Sequence, residues 1–536
     1  MTYTYDYLII GSGFGGSVSA MRLAEKGYSV ILLEQGKRYE PADYAKSNWN
    51  LRKYLWMPSL GLFGIQKLSF YRQASIMTGI GLGGGSLVYA NTLLKPPPKF
   101  FKTGNWKEYG DWETILEPFY NTAGFMMGRT LYDKKNPEDL LLRKVAKSMN
   151  REDTFQNVYV GVNLNEHEEE MDPYFSGLGP KRNSCTGCAA CMVGCRENAK
   201  NTLDKNYLFF AESFGAKIFT GIRAYKLEKS ENCFTVYTKS STKLLKNKKS
   251  YKAKNVIISG GVLGTLKFLF EQKHKYKTLP LISDKLGHNL LTNSETLTAV
   301  SGIKQKTNNG VAITSVFHPD ENTNVEIVKY PDGSNLMKLF FTLAAGGSSN
   351  NLYRSLKLLK NIIVNPLKFF KTVFSLNWST HSVIFLVMQT LDNAMIMRWK
   401  RGFYGKRMKI DNKGNKRVPA YIEIGQKVTE KYAAESGGIS QNIFLEVLFD
   451  RPTTAHILGG CPMSDNSEEG VINPRLEVHS YPGLYIIDGS VIQANPGVNP
   501  SFSILAMAEY SMSLINSKTG TNNKSLKALL DEQNKD

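Results

Sequence analysis

Residues 8–18 read Leu-Ile-Ile-Gly-Ser-Gly-Phe-Gly-Gly-Ser-Val, a glycine-rich turn placed directly after an apolar strand, and this run restricts the fold more than any other. Gly11, Gly13 and Gly16 fit G-x-G-x-x-G, with Phe14 and Gly15 inside the motif. The first glycine makes the tight turn, the second lets a pyrophosphate approach the backbone, and the third lets helix and sheet pack closely. A helix over 17–26 then stops at Gly27, with its free N–H groups and positive dipole end aimed at the phosphates. The next strand, 29–34, ends at Glu34, about 20 residues past the glycines, where a carboxylate accepts ribose hydroxyls. Strand, turn, helix, strand and acid in register predict an adenine dinucleotide on a Rossmann-like βαβ unit.

At 536 residues the chain exceeds the roughly 250–300 at which one core stops growing, so two or more domains are expected. No stretch approaches the ~18 apolar residues of a membrane span, and Tyr7 to Ile10 lack the basic leader of a cleavable signal. A cytoplasmic location is the expectation, with peripheral contact at the inner membrane face as the alternative. The formal charge is +20, from 67 basic against 47 acidic side chains, which favours acidic partners at long range. Seven of the lysines lie between Lys239 and Lys254, where they mark a solvated hairpin. No zinc finger, recognition helix or aromatic-basic strand accompanies the charge, so nucleic acid is not an expected partner.

A second glycine cluster, Gly79, Gly81, Gly83, Gly84 and Gly85 with Ser86 and Asn91, suits backbone lying against a flat or charged ligand and leads into a helix or strand from Leu87. Asn255 to Gly264 repeats the strand-into-glycine pattern and predicts a return to the nucleotide sheet. Residues 295–350 and 378–400 alternate as strands do, Met395-Ile-Met among them, and predict a mostly antiparallel second domain. The expected division is a discontinuous nucleotide domain (1–38, 76–100, 185–294 and 452–520), a lid excursion (39–75), a substrate domain (101–184 and 295–451) and a polar tail (521–536). Between Tyr353 and Phe374, lysines at 357, 360, 368 and 371 sit among Leu, Ile, Val and Phe, split by Pro366 into two helical pieces. Such a segment either rests on an anionic membrane or packs on its own core with its lysines in water.

Cys185, Cys188, Cys191 and Cys195 have the C-x2-C-x2-C-x3-C spacing of iron–sulfur ligand loops. Zinc is the rival, although its ligands usually come as two separated pairs, and a compact turn of buried thiols needs no metal at all. Near the C-terminus, His456 stands beside a Gly-Gly turn, one of only seven histidines in the chain, and reads either as a packed residue or as a base. The apolar strand around Tyr485 ends at Asp488-Gly489, where open α/β sheets touch nucleotides, and Asn499 is placed to cap a helix beginning at Pro500.

Together these pieces resemble the glucose–methanol–choline oxidoreductases, and within them the bacterial cholesterol-oxidase branch. The likeness covers nearly the whole chain: Gly11 to Gly16 with Glu34, Gly79 to Asn91, Gly260-Gly261, and His456 through Asn499-Pro500. It implies FAD in extended form, an α/β nucleotide domain under a largely antiparallel substrate domain, and oxidation of a bulky apolar secondary alcohol, with O2 or a quinone or protein acceptor taking the electrons. By motif, His456 orients or deprotonates the hydroxyl and Asn499 contacts substrate oxygen and flavin. Glu326 is the counterpart of a strand carboxylate that moves protons during double-bond isomerisation. The four-cysteine run departs from the familiar sterol oxidases and leaves an iron–sulfur path for electrons open. Two other readings remain: a flavin-binding membrane-surface protein without turnover, and a nicotinamide-linked reductase, which would normally show a second dinucleotide fingerprint that this chain lacks.

Overall fold

The computed structural model describes residues 4–534 except 167–168, 244–245, 403–404, 413 and 415–417. Its first sheet is built on a parallel core. The strand Thr4–Ile10 lies between Val30–Leu33 and Lys248–Ile258, with Leu8 opposite both Ile31 and Val256. Lys217–Phe219 extends one side and Leu484–Ile486 pairs in parallel with Lys248–Ile258. Val30–Leu33 is buried at every residue, as a parallel strand covered on both faces must be. The lysine-rich stretch joins Phe234–Ser240 and Lys248–Ile258, an antiparallel hairpin on this sheet. The glycine turns lead into the helices Phe14–Glu25 and Val262–Phe270 as their sequences predict.

The second sheet is antiparallel, in the order Phe341–Leu343, Ile439–Ile443, Thr296–Ser301, Ser382–Gln389, Thr323–Val328, Ile313–Phe317 and Gln156–Asn157. Two-residue periodicity divides its strands between two faces. Val325 and Ile327 join a core with Leu142, Val145, Val428 and Tyr432 of the helices Pro137–Ser148 and Glu423–Ser436. Leu297, Val328, Ile384 and Leu386 belong to the other face, which looks toward the glycine turns of the first sheet. Both faces are covered, so Thr296–Ser301 and Thr323–Val328 are buried throughout instead of alternating with water.

Four local expectations change. Met395–Gly402 does not join the large second sheet; it pairs with Gly405–Asn412 and Leu290–Leu291 in a separate four-stranded sheet. Trp112–Met126, which the sequence groups with the substrate domain, packs on Ser501–Ser513 through the ring pairs Trp112–Tyr510 and Tyr120–Phe502 and belongs to the core of the first sheet. The polar tail carries a helix, Leu526–Gln533, whose Leu526 is buried in that same core. Finally, Gly84–Leu87 closes one short 3-10 turn, and no helix or strand runs on from Leu87.

Candidate active site

The two glycine loops meet. Gly11 has φ +102°, and a Cβ there would overlap the Ser259 carbonyl of the neighbouring strand, so the first turn requires glycine. Gly84 packs on Gly13, and Ser12 ties the loops together by accepting from the Gly83 N–H at 3.1 Å. Ser12 also donates its hydroxyl (2.7 Å) and N–H (3.1 Å) to Glu34 Oε2, while Gly36 N–H donates to Oε1 at 2.7 Å. Burial raises the Glu34 carboxyl above its usual range, and these donors offset that. Glu34 thus stands at the end of its strand beside the turn, where the fingerprint requires it.

A cavity opens between the two sheets, bounding about 1690 Å³ including its part open to solvent. Gly13, Phe14, Gly15, Gly79, Gly85 and Gly261 line one end, with Asp488, Gly489 and Pro500. A Cβ added to Gly13 or Gly261 would meet no protein atom within 4 Å. Asn91, at φ +61°, carries a buried amide whose nitrogen and oxygen both lack a protein partner. Bare glycine backbone around a long void, an acid at the second strand and an unpaired buried amide fit FAD in extended form. Gly13 and Gly15 would hold the pyrophosphate, with Gly11 and Gly16 making the turn and its packing, Glu34 would take the ribose, and the 79–86 loop with Asp488–Gly489 the rest. Asp488 is braced by Ser490 and Thr265, with its carboxyl raised by burial.

At the other end the walls are apolar, with Met77, Leu297, Ile313, Val328, Ile384 and Leu386, and polar groups gather at one spot. His456 is 14% exposed, toward this void, with Nδ1 2.9 Å from Glu295 Oε2, an ion-pair distance without aligned hydrogen-bond geometry. Burial works against the imidazolium, but the Glu295 charge outweighs it and Glu326 adds to it, so the imidazole is held above its ordinary range. Glu295 is fixed by the Thr454 hydroxyl at 2.9 Å and the Ala455 N–H at 3.3 Å, and Thr454 in turn accepts from the His456 N–H at 2.8 Å.

Between Val325 and Ile327, Glu326 turns to the cavity side of its strand and accepts from Asn499 Nδ2 at 3.2 Å. Full burial pushes its carboxyl up to about 7, against the pull of His456 and Asn499, with Glu295 pushing the same way as burial. Glu326 Oε1 and Asn499 Oδ1 are buried without partners. His456, Asn499 and Glu326 are therefore brought together as the sequence suggests, although Asn499 caps no helix. Its amide faces Glu326, and Pro500 takes the N-cap position of Ser501–Ser513 without a side-chain bond. Sequence reasoning misses Glu295, Ser12 and Thr454, which no local motif marks.

The iron–sulfur expectation is not met. Among the described residues no three His, Cys, Asp or Glu side chains converge as metal ligands. Burial pushes the Cys191 thiol up to about 12 and the Cys185 thiol to about 11. Cys188 is exposed, and Cys195 Sγ accepts from the Lys200 N–H at 3.4 Å.

Residues 177–292 and 419–508 match family profiles described as GMC oxidoreductase, and residues 9–39 match an NAD(P)-binding Rossmann-like domain. The chain is 40% identical over 530 residues to a cholesterol oxidase of Acinetobacter baumannii, covering 96% of this chain and 95% of that one. It is also 40% identical to a cholesterol oxidase of Mycobacterium tuberculosis (97% and 92% covered), and 23% identical to the long-chain-alcohol oxidase FAO4B of Arabidopsis thaliana (94% and 66%). In fold it is similar to the crystal structure of pyridoxine 4-oxidase from Mesorbium loti, with a TM-score of 0.62 and 14% identity, covering 95% of this chain and 99% of that one.

Proposed function

The chain belongs to the glucose–methanol–choline oxidoreductases, as an FAD-dependent enzyme of alcohol oxidation, and from that membership we propose that it converts a secondary hydroxyl of a steroid, or of a comparably bulky apolar alcohol, to the ketone. The observation that carries this reading is an apolar cavity wall ending at His456, Asn499 and Glu295, with Glu326 held against Asn499 and lone pairs on Asn499 and Glu326 left unpaired. A large apolar body is bound by the wall, and its single polar group has one place to go. Bound FAD supplies the hydride acceptor, reoxidised by O2 or by a quinone or protein acceptor. The hydroxyl oxygen lies between the His456 ring and the Asn499 amide, and the neutral imidazole takes the hydroxyl proton as the C–H electrons leave and the carbonyl forms. Glu295 fixes the ring and stabilises the imidazolium. In a steroid with a neighbouring double bond, Glu326, placed on the cavity side and titrating near neutrality, carries a proton between carbons.

The test is anaerobic mixing of the purified flavoprotein with a sterol, with a long-chain primary alcohol, and with buffer. Rapid bleaching of the flavin by the sterol supports the assignment, bleaching only by the primary alcohol redirects it, and no bleaching by any alcohol refutes it. His456→Ala should keep its flavin and slow bleaching by about 10²-fold or more. An unchanged rate removes His456 from the proton transfer.

A further inference from the structure

The helices Asn351–Val364 and Pro366–Phe374 carry a second apolar stripe on the side away from the core. The inward side carries polar groups beside an apolar seam: Leu358, Ile362 and Phe369 pack on Leu343, Ala345 and Val447, while Arg354 donates to the Ala345 and Glu446 carbonyls, Lys357 to Gly346 at 2.8 Å and Asn361 to Ala344 at 2.9 Å. These bonds fasten the first helix to carbonyls of the 344–346 segment. Opposite them, Leu352, Leu356, Leu359 and Ile363, spaced four, three and four apart, form one outward stripe. Leu367, Phe370 and Phe374 continue it on the second helix, with the last two rings stacked at 5.8 Å. All seven are more than half exposed, from 55% at Phe370 to 76% at Leu367. Single exposed leucines need no explanation, but a continuous stripe on two successive helices marks an interaction surface.

We propose that this stripe docks the enzyme in the interface of an anionic lipid bilayer, with both helices lying in the membrane plane. Charge selects the occupant. Lys360, Lys368 and Lys371 are exposed beside the stripe, and residues 351–374 contain no Asp or Glu. A second copy meeting this face about a two-fold axis would set lysines against lysines, whereas acidic headgroups neutralise them and acyl chains take the leucines and phenylalanines. Among the described residues no helix is long and apolar enough to cross a membrane, so the contact is peripheral. Continuity with the cavity gives the surface a purpose. The Asn335–Phe340 turn carries Met337 in the cavity wall, and it is hydrogen-bonded to the end of the second helix by Lys338 Nζ to the Ser375 carbonyl at 2.8 Å and Asn335 Nδ2 to the Leu376 carbonyl at 2.7 Å. Leu339, on the same turn, is exposed. An apolar alcohol dissolved in the bilayer thus meets the enzyme beside its binding cavity.

Full-length holoenzyme is centrifuged with vesicles of phosphatidylcholine alone or mixed with phosphatidylglycerol. It should pellet with the mixed vesicles, less so as salt is raised, and stay in solution with phosphatidylcholine alone. A Leu359→Ser/Ile363→Ser/Phe370→Ser variant should lose at least about 10-fold in vesicle affinity, because each side chain forfeits its apolar burial. Lys360→Gln/Lys368→Gln/Lys371→Gln should remove the preference for anionic lipid. Both variants should reduce their flavin at the wild-type rate with a short, water-soluble secondary alcohol. Wild-type enzyme left in solution with anionic vesicles overturns the proposal, as does an apolar variant that pellets normally or a wild-type dimer that this variant dissociates. Vesicle binding is read without turnover, so its failure leaves the assignment of alcohol oxidation untouched.

Discussion

Glu326 offers a test in which stability and mechanism depend on one proton. Its carboxyl titrates at about 7 in the fold instead of 4.5, chiefly because burial penalises the anion. Below about pH 4.5 the group is protonated in both folded and unfolded chains and has no effect on stability. Between 4.5 and about 7 the folded state keeps its proton while the unfolded chain releases it, so native stability falls as pH rises, and above about 7 the loss is complete. The span corresponds to about 3 kcal/mol. Glu326→Gln is neutral at every pH, has nearly the same shape, and its carbonyl still accepts from Asn499 Nδ2. Variant and wild type should therefore melt together near pH 4.5, and by pH 8 the variant should melt higher. For 536 residues the unfolding entropy is about 1.1 kcal/mol/K, so the gain is about 3 °C. Other buried acids, such as Glu446 with its carboxyl raised to about 8, act equally on both proteins and cancel in the difference. Thermal melts of the FAD-loaded pair from pH 4.5 to 8 at constant ionic strength read this directly. A melting difference that stays constant across that range would refute the argument.

The same cluster predicts that Glu295→Gln, by removing the charge that raises the His456 imidazole, moves the acid limb of flavin reduction to lower pH; stopped-flow rates across pH check it, and a fixed limb would show that Glu295 does not act through His456. Gly13→Ala should leave the melting of FAD-free protein nearly unchanged, because the new Cβ meets no protein atom, yet weaken FAD binding by about 10- to 100-fold because it occupies the pyrophosphate's space. Equilibrium titration with FAD decides it, and wild-type affinity would take the pyrophosphate away from Gly13. Elemental analysis of anaerobically purified protein should find flavin without stoichiometric iron or zinc, whereas about four irons per chain would restore the cluster reading of Cys185 to Cys195.

What can be read from the chain depends on how local its causes are. The fingerprint is legible because Gly11 answers a constraint imposed within a few residues, a positive φ directly after a strand. Glu295 is not. It lies in Thr292-Asn-Ser-Glu-Thr296, which reads as a polar loop but is buried at every position. Its polarity is satisfied from afar: Asn293 N–H donates to Asn495, Glu295 accepts from Thr454, and Thr296 donates to Glu446. A hydropathy pattern records whether a residue prefers water, and cannot register a partner 150 residues away. The 351–374 segment fails differently. Its apolar residues serve two sides: Leu358, Ile362 and Phe369 turn inward, while Arg354, Lys357 and Asn361 are taken by the 344–346 carbonyls and a second apolar stripe is left facing outward.

Asn499 shows why the catalytic cluster is the hardest part to read. A cap and a substrate ligand call for the same residue type before the same helix, and only the alternation of the second sheet separates them. Because Val325 and Ile327 are spent on the helix-covered face, Glu326 turns to the cavity side, where it accepts from the Asn499 amide, and the helix begins one residue later with Pro500 at its N-cap. Glu326 and His456 then stand close enough for the charge of each to shift the other, one carboxyl raised to about 7 and one imidazole raised above its ordinary range. Near neutrality the two compete for a proton, so a rate–pH profile reports the pair rather than either residue. Glu295 biases that competition toward the imidazole. The sheet's periodicity is thus tied to the chemistry: moving Glu326 one position along its strand would turn it to the helix-covered face and take the second proton carrier away from Asn499 and His456.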